Sequence, residues 1–349
     1  MNAIAHNPYR VLGVFANDPL RMETANIARI RAFNKVGKEC SFDSDFTDIF
    51  GTIDRSEKAI ERAISLLSSD EDRDFYSSLW IHRVQLLDYS AKAPVDIIRS
   101  GLGGDSKASI VNVIVGAFYA DNIELASEYI IRLFERDDAP AESTKERFLV
   151  ELENGYKDEY EWPPFFWWSR LRDICNREDG HGKTLEFIST VYNKESINYL
   201  RQLSESESFG KECKGYMSIV SAHNIAEPVI EVIKETSNLQ TKQPNAEAQI
   251  VLSKYAKTVL AACKKYYKET RFWEAKPVEK LLELLREVYR LSYSSKVKEE
   301  CTTFGKEVKK EVQFLAPPQV SAFLTIIRKE IEAFCSKPNE TRWSLQLLR

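Results

Sequence analysis

The sequence has few residues of the kinds that build metal centres, disulfide frameworks or membrane spans. Its six cysteines are scattered through 349 residues without a paired spacing, so reduced structural thiols are favoured over disulfides or a metal motif. The four histidines stand alone, with no histidine, cysteine or acid at ligand spacing. The longest nearly apolar run, residues 110–120, contains Asn112 and is far shorter than a membrane-spanning helix.

Targeting signals are also missing from the amino-terminal residues. Residues 1–6 contain no charged leader and no apolar stretch of signal-peptide length. We therefore expect a cytoplasmic protein that does not associate with a membrane.

No spacing of residues in the sequence predicts catalysis or a cofactor. The segment 180–184, Gly-His-Gly-Lys-Thr, ends like a phosphate-binding loop, but Arg177 stands where that loop requires its first glycine. Asp43, Asp45 and Asp48 lack the glycine and the terminal glutamate of a calcium loop. We expect no enzymatic activity, no cofactor and no metal site; a nucleophile–base pair that only folding assembles is the open alternative.

Charge is nearly balanced over the whole chain but not along it. The formal net charge is −4, which is too small to indicate a partner by itself. It is −2 over residues 1–120, −10 over residues 121–240 and +8 over residues 241–349. An acidic middle and a basic end are compatible with folding back, self-association or two different surfaces, and the sequence leaves the oligomeric state open.

Helical periodicity runs along most of the chain, and no period-two alternation is long enough to predict a sheet. We predict an all-α protein with a helical head at residues 1–90, an acidic helical-repeat-like domain at 91–240 and a basic C-terminal helical bundle at 241–349. The second boundary follows the turn-forming residues before Pro244, where the sign of the charge also changes.

In the middle domain, residues 106–119 and 123–135 predict a helical hairpin of the tetratricopeptide type, whose first arm is apolar nearly all round and should be buried. Further helices are predicted at residues 79–89, 94–100, 145–155, 165–177, 184–192, 194–203, 209–237, 246–270, 277–293, 295–314 and 318–336.

The head has the clearest helix signals of the chain. Asn7 and Pro8 are a capping residue and a first-turn proline, and Gly13 is a typical helix stop. A second helix is predicted after Pro19, and a third is predicted to begin at Asp54, with a capping box to the glutamate three residues later.

Three motifs in the head resemble, in their order and spacing, the J-domain of the DnaJ co-chaperones. They are Tyr9-x-Val11-Leu12-Gly13, then Ala59-x-x-x-Ala63-Ile64-x-x-Leu67, and then Arg73-x-x-Tyr76. The resemblance covers about the first 85 residues. It implies a short helix, an antiparallel helical pair and a closing turn.

The signature of a J-domain is missing from this head. That family carries His-Pro-Asp between its second and third helices, whereas residues 35–43 here read Lys-Val-Gly-Lys-Glu-Cys-Ser-Phe-Asp. The resemblance therefore implies a head that does not stimulate ATP hydrolysis by a heat-shock ATPase. It further implies that the basic second helix, with Arg29, Arg31, Lys35 and Lys38, is the surface for an acidic partner; the alternative is an ordinary solvated face.

Two other segments are candidate binding surfaces. The aromatic segment predicts a peptide groove, or alternatively a buried core that joins two domains; its residues are Trp162, Phe165, Phe166, Trp167 and Trp168. A lysine-rich helix predicts a nucleic-acid face, or alternatively an ordinary amphipathic helix; its lysines are Lys254, Lys257, Lys264, Lys265 and Lys268.

Two functions follow from these features. The first is a non-enzymatic, co-chaperone-like adaptor that binds a protein partner, such as a heat-shock ATPase; in it the head either docks the partner or only braces the helical array. The second is a nucleic-acid-associated accessory factor, in bacterial defence or regulation, that uses the basic C-terminal third.

Overall fold

A computed structural model describes residues 2–159, 165–177, 180–205, 216–236, 244–269, 275–312, 326, 327 and 329. All regular secondary structure in these ranges is helical and none is strand, which confirms the all-α prediction. The chain divides into two compact units. The N-terminal unit is Met1–Ser196 with Glu235–Ser237, and the C-terminal unit is Ile197–Lys234 with Asn238–Arg349. The three-domain boundaries stay a prediction.

The head contains six helices. They are α1 (Asn2–Ala5), α2 (Pro8–Val11), α3 (Leu20–Lys35), α4 (Thr47–Phe50), α5 (Glu57–Leu66) and α6 (Asp70–Ser77). Helix α2 starts as predicted, because the Asn7 side chain accepts the Tyr9 N–H and Pro8 occupies the first turn. Gly13 then takes a φ of 67°, and a Cβ there would lie 2.3 Å from the Phe42 ring, so only glycine fits this turn.

The predicted start of the third helix at Asp54 is wrong by a few residues. Helix α5 begins at Glu57, because the Ser56 side chain accepts the Ala59 N–H at 3.3 Å and so acts as the N-cap. Asp54 instead accepts the Ser56 N–H at 2.8 Å and forms a turn before the helix.

The predicted helix at residues 79–89 is also wrong, because residues 79–93 have no helix. Leu79, Trp80 and Ile81 are buried, but tertiary partners take the polar groups of this segment. The Trp80 indole donates to the Val14 carbonyl at 3.0 Å, and the Ile81 carbonyl accepts the Ala16 N–H at 3.0 Å.

The predicted hairpin is confirmed as helices α8 (Lys107–Tyr119) and α9 (Ile123–Phe134), preceded by α7 (Pro94–Gly101). Ser106 and Asn122 cap α8 and α9 with their side chains. Every residue of α8 from Ile110 to Phe118 is buried, as its apolar sequence predicts. The tetratricopeptide-type arrangement stays a prediction.

The next helices are α10 (Glu142–Glu159), α11 (Phe166–Arg177) and α12 (Gly182–Glu205). Helix α12 is one continuous helix, so the predicted break between residues 192 and 194 is wrong. Neither glycine nor proline interrupts residues 183–205, and the Asn193 side chain donates to the Thr236 hydroxyl at 2.9 Å.

The last helices are α13 (Tyr216–Thr236), α14 (Ala246–Glu269), α15 (Ala275–Leu291) and α16 (Ser295–Val312). Helix α13 continues through Pro228. Helices α14, α15 and α16 pack against one another, with a buried stripe on α14 that includes Val251, Tyr255 and Val259. The predicted helix at residues 318–336 lies outside the described residues, apart from helical positions 326, 327 and 329.

Candidate interaction surface

Helix α3 buries only a narrow stripe of its surface. Glu23 and Ile30 are buried, Asn26, Ile27 and Phe33 are half-buried, and the other residues of the helix are exposed. The three- and four-residue spacing of this stripe is that of one helix face. The Asn26 side chain donates to the Gly13 carbonyl at 2.7 Å, so α3 is fixed to the end of α2 along that face.

This burial separates the one acidic side chain of α3 from its basic side chains. Glu23 is its one acidic residue, is 5% exposed, and pairs with Arg73 of α6 at 2.7 Å. The other charged residues of the helix, Arg21, Arg29, Arg31 and Lys35, are all exposed. Every charged side chain that α3 presents to solvent is therefore basic.

The four residues predicted to bind a partner are all exposed but differ in their contacts. The Arg29 guanidinium lies 5.0 Å from the Phe42 ring centroid. Arg31 donates to Glu57 at 2.8 Å, and both side chains of this pair are about half exposed. Helix α3 ends at Lys35, so the prediction that Lys38 belongs to this helix is wrong, and Lys38 lies three residues after its end. Neither lysine has an ion pair with any residue that the structure describes. Their charges are available to a partner.

An open cleft of about 1120 Å³ lies beside the C-terminal end of α3 and the N-terminal end of α5, and Arg31, Lys35 and Lys38 line it. Four acids also line the cleft, namely Glu39, Asp45, Asp54 and Glu57. Asp45, Asp54 and Glu57 are bonded within the chain. Against Lys35 and Lys38 this leaves one exposed acid of the cleft, Glu39, which follows Lys38 in the sequence.

Two arginines hold the wall of this cleft. Arg55 donates to both carboxylate oxygens of Asp45 and to the carbonyls of Val11 and Cys40 at 2.9 and 2.8 Å. Arg10, which is 1% exposed, donates to four carbonyls; they belong to Ala5, Asp45, Phe50 and Gly51. Burial lowers the pKa of Arg10 to about 10, so the guanidinium stays charged at neutral pH.

The aromatic segment is a core and not a groove at the positions described. Trp167 and Trp168 are 0% and 2% exposed, so for these two residues the predicted peptide groove is wrong and the alternative, a buried core, is the one observed. Trp167 packs against Phe118 of α8, and the Trp168 indole donates to Glu235 at 2.8 Å. The other two described members, Phe165 and Phe166, are half-buried. Trp162 lies outside the described residues.

A half-buried acid anchors this aromatic core. Glu153 of α10 accepts the Trp167 N–H at 3.0 Å and the Tyr192 hydroxyl at 2.8 Å through the same oxygen. Burial raises the pKa of Glu153 to about 7, against the opposing effect of these hydrogen bonds. Glu153 could not be identified from the sequence, because nothing local marks an acid whose partners come from α11 and α12.

The five lysines predicted as a nucleic-acid face all lie on α14. Lys254, Lys257, Lys265 and Lys268 are exposed and Lys264 is partly exposed. Two of them pair within the C-terminal unit, Lys254 with Glu205 at 2.6 Å and Lys264 with Glu300 at 2.9 Å.

Two other kinds of site are absent from the described residues. No helix among the described residues is long and apolar enough to cross a membrane. In the same part of the chain, no group of three or more His, Cys, Asp or Glu side chains could hold a metal ion.

Comparison with protein-family models, with curated proteins and with solved structures finds no match for this chain. The J-domain resemblance therefore depends on the sequence motifs of the head and stays a prediction.

Proposed function

We propose that this chain is a non-enzymatic cytoplasmic adaptor that binds an acidic protein partner through helix α3. The J-domain resemblance favours a heat-shock ATPase as that partner. Because residues 35–43 contain no His-Pro-Asp, the adaptor binds the ATPase without stimulating ATP hydrolysis. The following helical hairpin, α8 and α9, is proposed as part of a repeat-like body. The head either docks the partner or only braces this body.

The observation that carries this proposal is the one-sided charge of α3. Its single acid is buried against Arg73, and its exposed charged residues are basic. A surface of one sign increases the association rate with a partner of the opposite sign and selects against partners of the same sign. An ordinary solvated helix face, in contrast, commonly mixes both signs.

The cleft supports the same conclusion. Lys35 and Lys38 lie on its wall without an ion pair in the described chain, so a partner's carboxylates would not have to displace an internal acid. Arg31 is held by Glu57 and contributes less, because a partner must compete with that glutamate.

A binding assay with a charge-reversed head tests the proposal. We expect the Lys35→Glu, Lys38→Glu double variant to bind a purified heat-shock ATPase at least about tenfold more weakly than the wild type, because two attractive charges become repulsive. The wild-type affinity should also fall as salt is raised. The Lys257→Glu, Lys268→Glu variant changes the same charge on the C-terminal unit and should bind like the wild type.

Two results would contradict the proposal. Equal binding by the head variant and the wild type would remove α3 as the docking surface. A clear increase in the ATPase rate on addition of the wild-type protein would show that the head stimulates its partner without His-Pro-Asp.

A further inference from the structure

The outward face of α14 is a second surface with charges of one sign. No acidic residue lies between Glu247 and Glu269 of this helix. Its five lysines fall within about 100° of the helix circumference at 100° per residue, opposite the buried stripe. An amphipathic helix requires only that its outward face is polar. From Lys254 to Lys268 the outward face of α14 carries five lysines and no acid, which exceeds that requirement.

Helix α16 enlarges this surface with a lysine that the sequence analysis did not include. Lys264 of α14 pairs with Glu300 of α16, and Lys264, Lys296 and Lys257 together hold the pKa of Glu300 below its usual range. Lys296 of α16 is exposed. It lies one helical turn before Glu300, and the pairing of Glu300 with Lys264 brings this turn of α16 to α14. We call Lys257, Lys264, Lys265, Lys268 and Lys296 the lysine surface.

The acids near the lysine surface neutralise it only in part. Glu269 follows Lys268, Glu299 lies one turn from Lys296 on α16, and both are exposed. Glu300 pairs with Lys264, and Glu205 pairs with the neighbouring Lys254. Lys257, Lys268 and Lys296 are exposed and have no ion pair with any residue in the described part of the chain. A net positive charge therefore remains along α14 from Lys254 to Lys268, a distance of about 21 Å at 1.5 Å per residue.

An exposed aromatic ring adjoins one end of this surface. The Tyr293 N–H donates to the Ser253 hydroxyl at 2.9 Å, next to Lys254, and Lys296 follows three residues later in the chain. Tyr293 is 45% exposed. Lysines beside an exposed ring are the combination with which proteins bind single-stranded nucleic acid, through phosphate contacts and base stacking.

We infer that the lysine surface binds the phosphodiester backbone of single-stranded nucleic acid and that the Tyr293 ring stacks on a base at its end. An acidic protein could also meet the charge, but it has no need of the exposed ring. This inference does not depend on the proposed function, because the two surfaces lie in different units.

Fluorescence anisotropy of the full-length protein with a labelled oligothymidylate of about twenty nucleotides tests the inference. We expect affinity to fall between about 50 and 200 mM salt, with a log–log slope of about −3 for four phosphate contacts. The Lys257→Gln, Lys268→Gln, Lys296→Gln variant should lose about 2 units of that slope and bind about a hundredfold more weakly at about 0.1 M salt. Tyr293→Ala should weaken binding about tenfold and leave the slope unchanged.

A gain-of-binding variant keeps the inference testable even if the triple variant is unstable. Glu300→Gln removes the acid among the lysines, and we expect about fivefold tighter binding at about 0.1 M salt. The matched control, Lys35→Gln with Lys38→Gln, removes two lysines from the head and should bind the oligonucleotide like the wild type.

Three outcomes would overturn the inference. The first is unchanged binding of the triple variant or of Glu300→Gln. The second is equal binding of duplex DNA with no effect of Tyr293→Ala. The third is full competition by polyglutamate at the same charge concentration, which would assign the surface to an acidic protein.

Discussion

Glu23 of α3 and Arg73 of α6 form a two-point ion pair, in which Nη1 and Nη2 of Arg73 donate to the two Glu23 oxygens at 2.7 and 3.0 Å. The Tyr9 hydroxyl donates to the Arg73 carbonyl at 3.4 Å. Arg73 therefore joins α6 to both α2 and α3. The same pair removes the only acid from the exposed charge of α3.

Breaking this pair should destabilise the head more than breaking an exposed pair. We expect Glu23→Gln to lower the free energy of unfolding by about 1–2 kcal/mol, because a largely buried charged hydrogen bond is lost. Arg31→Gln removes the half-exposed pair with Glu57 and should cost less than about 0.5 kcal/mol. Urea unfolding of both variants measures the difference, and equal costs would show that burial adds nothing to the Glu23–Arg73 pair.

The close contact between α7 and α8 requires a glycine at position 116. A Cβ at Gly116 would lie 2.8 Å from Ile98 Cγ1, 2.9 Å from the Ile98 nitrogen and 3.0 Å from the Pro94 carbonyl oxygen. Two of these atoms are backbone and cannot rotate away. We expect Gly116→Ala to lower the free energy of unfolding by about 2 kcal/mol.

The control for this substitution is a helical glycine with space around it. A Cβ at Gly305 of α16 would meet nothing within 4 Å, so Gly305→Ala should stabilise the protein by about 0.5–1 kcal/mol through helix propensity. Thermal unfolding followed by circular dichroism reports both signs. Stabilisation by both substitutions would contradict the close approach of α7 and α8.

Local signals in the sequence were sufficient where the helix ends are set locally. The Asn7 cap, the Gly13 stop and the turn between α8 and α9 were all predicted, because each needs only neighbouring residues. The segment at residues 79–93 was predicted wrongly because its backbone partners, such as Val14 and Ala16, are far away in the sequence. Tertiary hydrogen bonds there replace helical ones.

The candidate surfaces also combine features that are set by neighbouring residues with features that depend on residues far away in the sequence. The basic residues of α3 and α14 could be read from the sequence, since exposed charge follows helical spacing. The burial of Glu23 and the pairing of Lys264 with Glu300 of α16 could not, because each depends on a second helix. The burial of Trp167 and Trp168 follows from their packing against α8 and α12, whereas aromatic composition alone was compatible with a groove.

The polar residue inside the apolar helix α8 has a definite role. The Asn112 side chain accepts the His82 N–H at 2.7 Å and donates to the His82 carbonyl at 2.9 Å. It therefore pairs both backbone polar groups of His82, which lies in the non-helical segment 79–93. Asn112 is fully buried, so no water replaces it.

Replacing Asn112 should leave two buried backbone groups without partners. We expect Asn112→Leu to lower the free energy of unfolding by about 2–4 kcal/mol, although leucine is similar in size and more apolar. The comparison is Val113→Leu at the adjacent buried position, where only packing changes and a cost of about 1–2 kcal/mol is expected. Denaturant unfolding measures both. A stabilised Asn112→Leu variant would mean that residues 81–83 find other partners.

Glu153, which is half-buried, should give the N-terminal unit a pH-dependent stability. Its pKa is raised from 4.5 to about 7 by burial among the aromatic rings. The stabilising contribution of a group with a raised pKa is complete below the unfolded-state value and is lost as pH rises through the folded-state value. The wild type should therefore lose up to about 3 kcal/mol of unfolding free energy from this group between about pH 4.5 and pH 7.

Glu153→Gln removes this titration and keeps an oxygen that can accept from Trp167 and Tyr192. We expect the free energy of unfolding of the variant to fall less than that of the wild type between about pH 5 and pH 8. The difference, variant minus wild type, should therefore increase with pH. Glu146→Gln, on the same helix, breaks an exposed pair with Lys194 and should keep the wild-type profile. Unfolding in urea at several pH values measures the three curves. If the stability curve of Glu153→Gln runs parallel to that of the wild type, the carboxyl group of wild-type Glu153 is already ionised at low pH. The aromatic core then does not hold this group neutral.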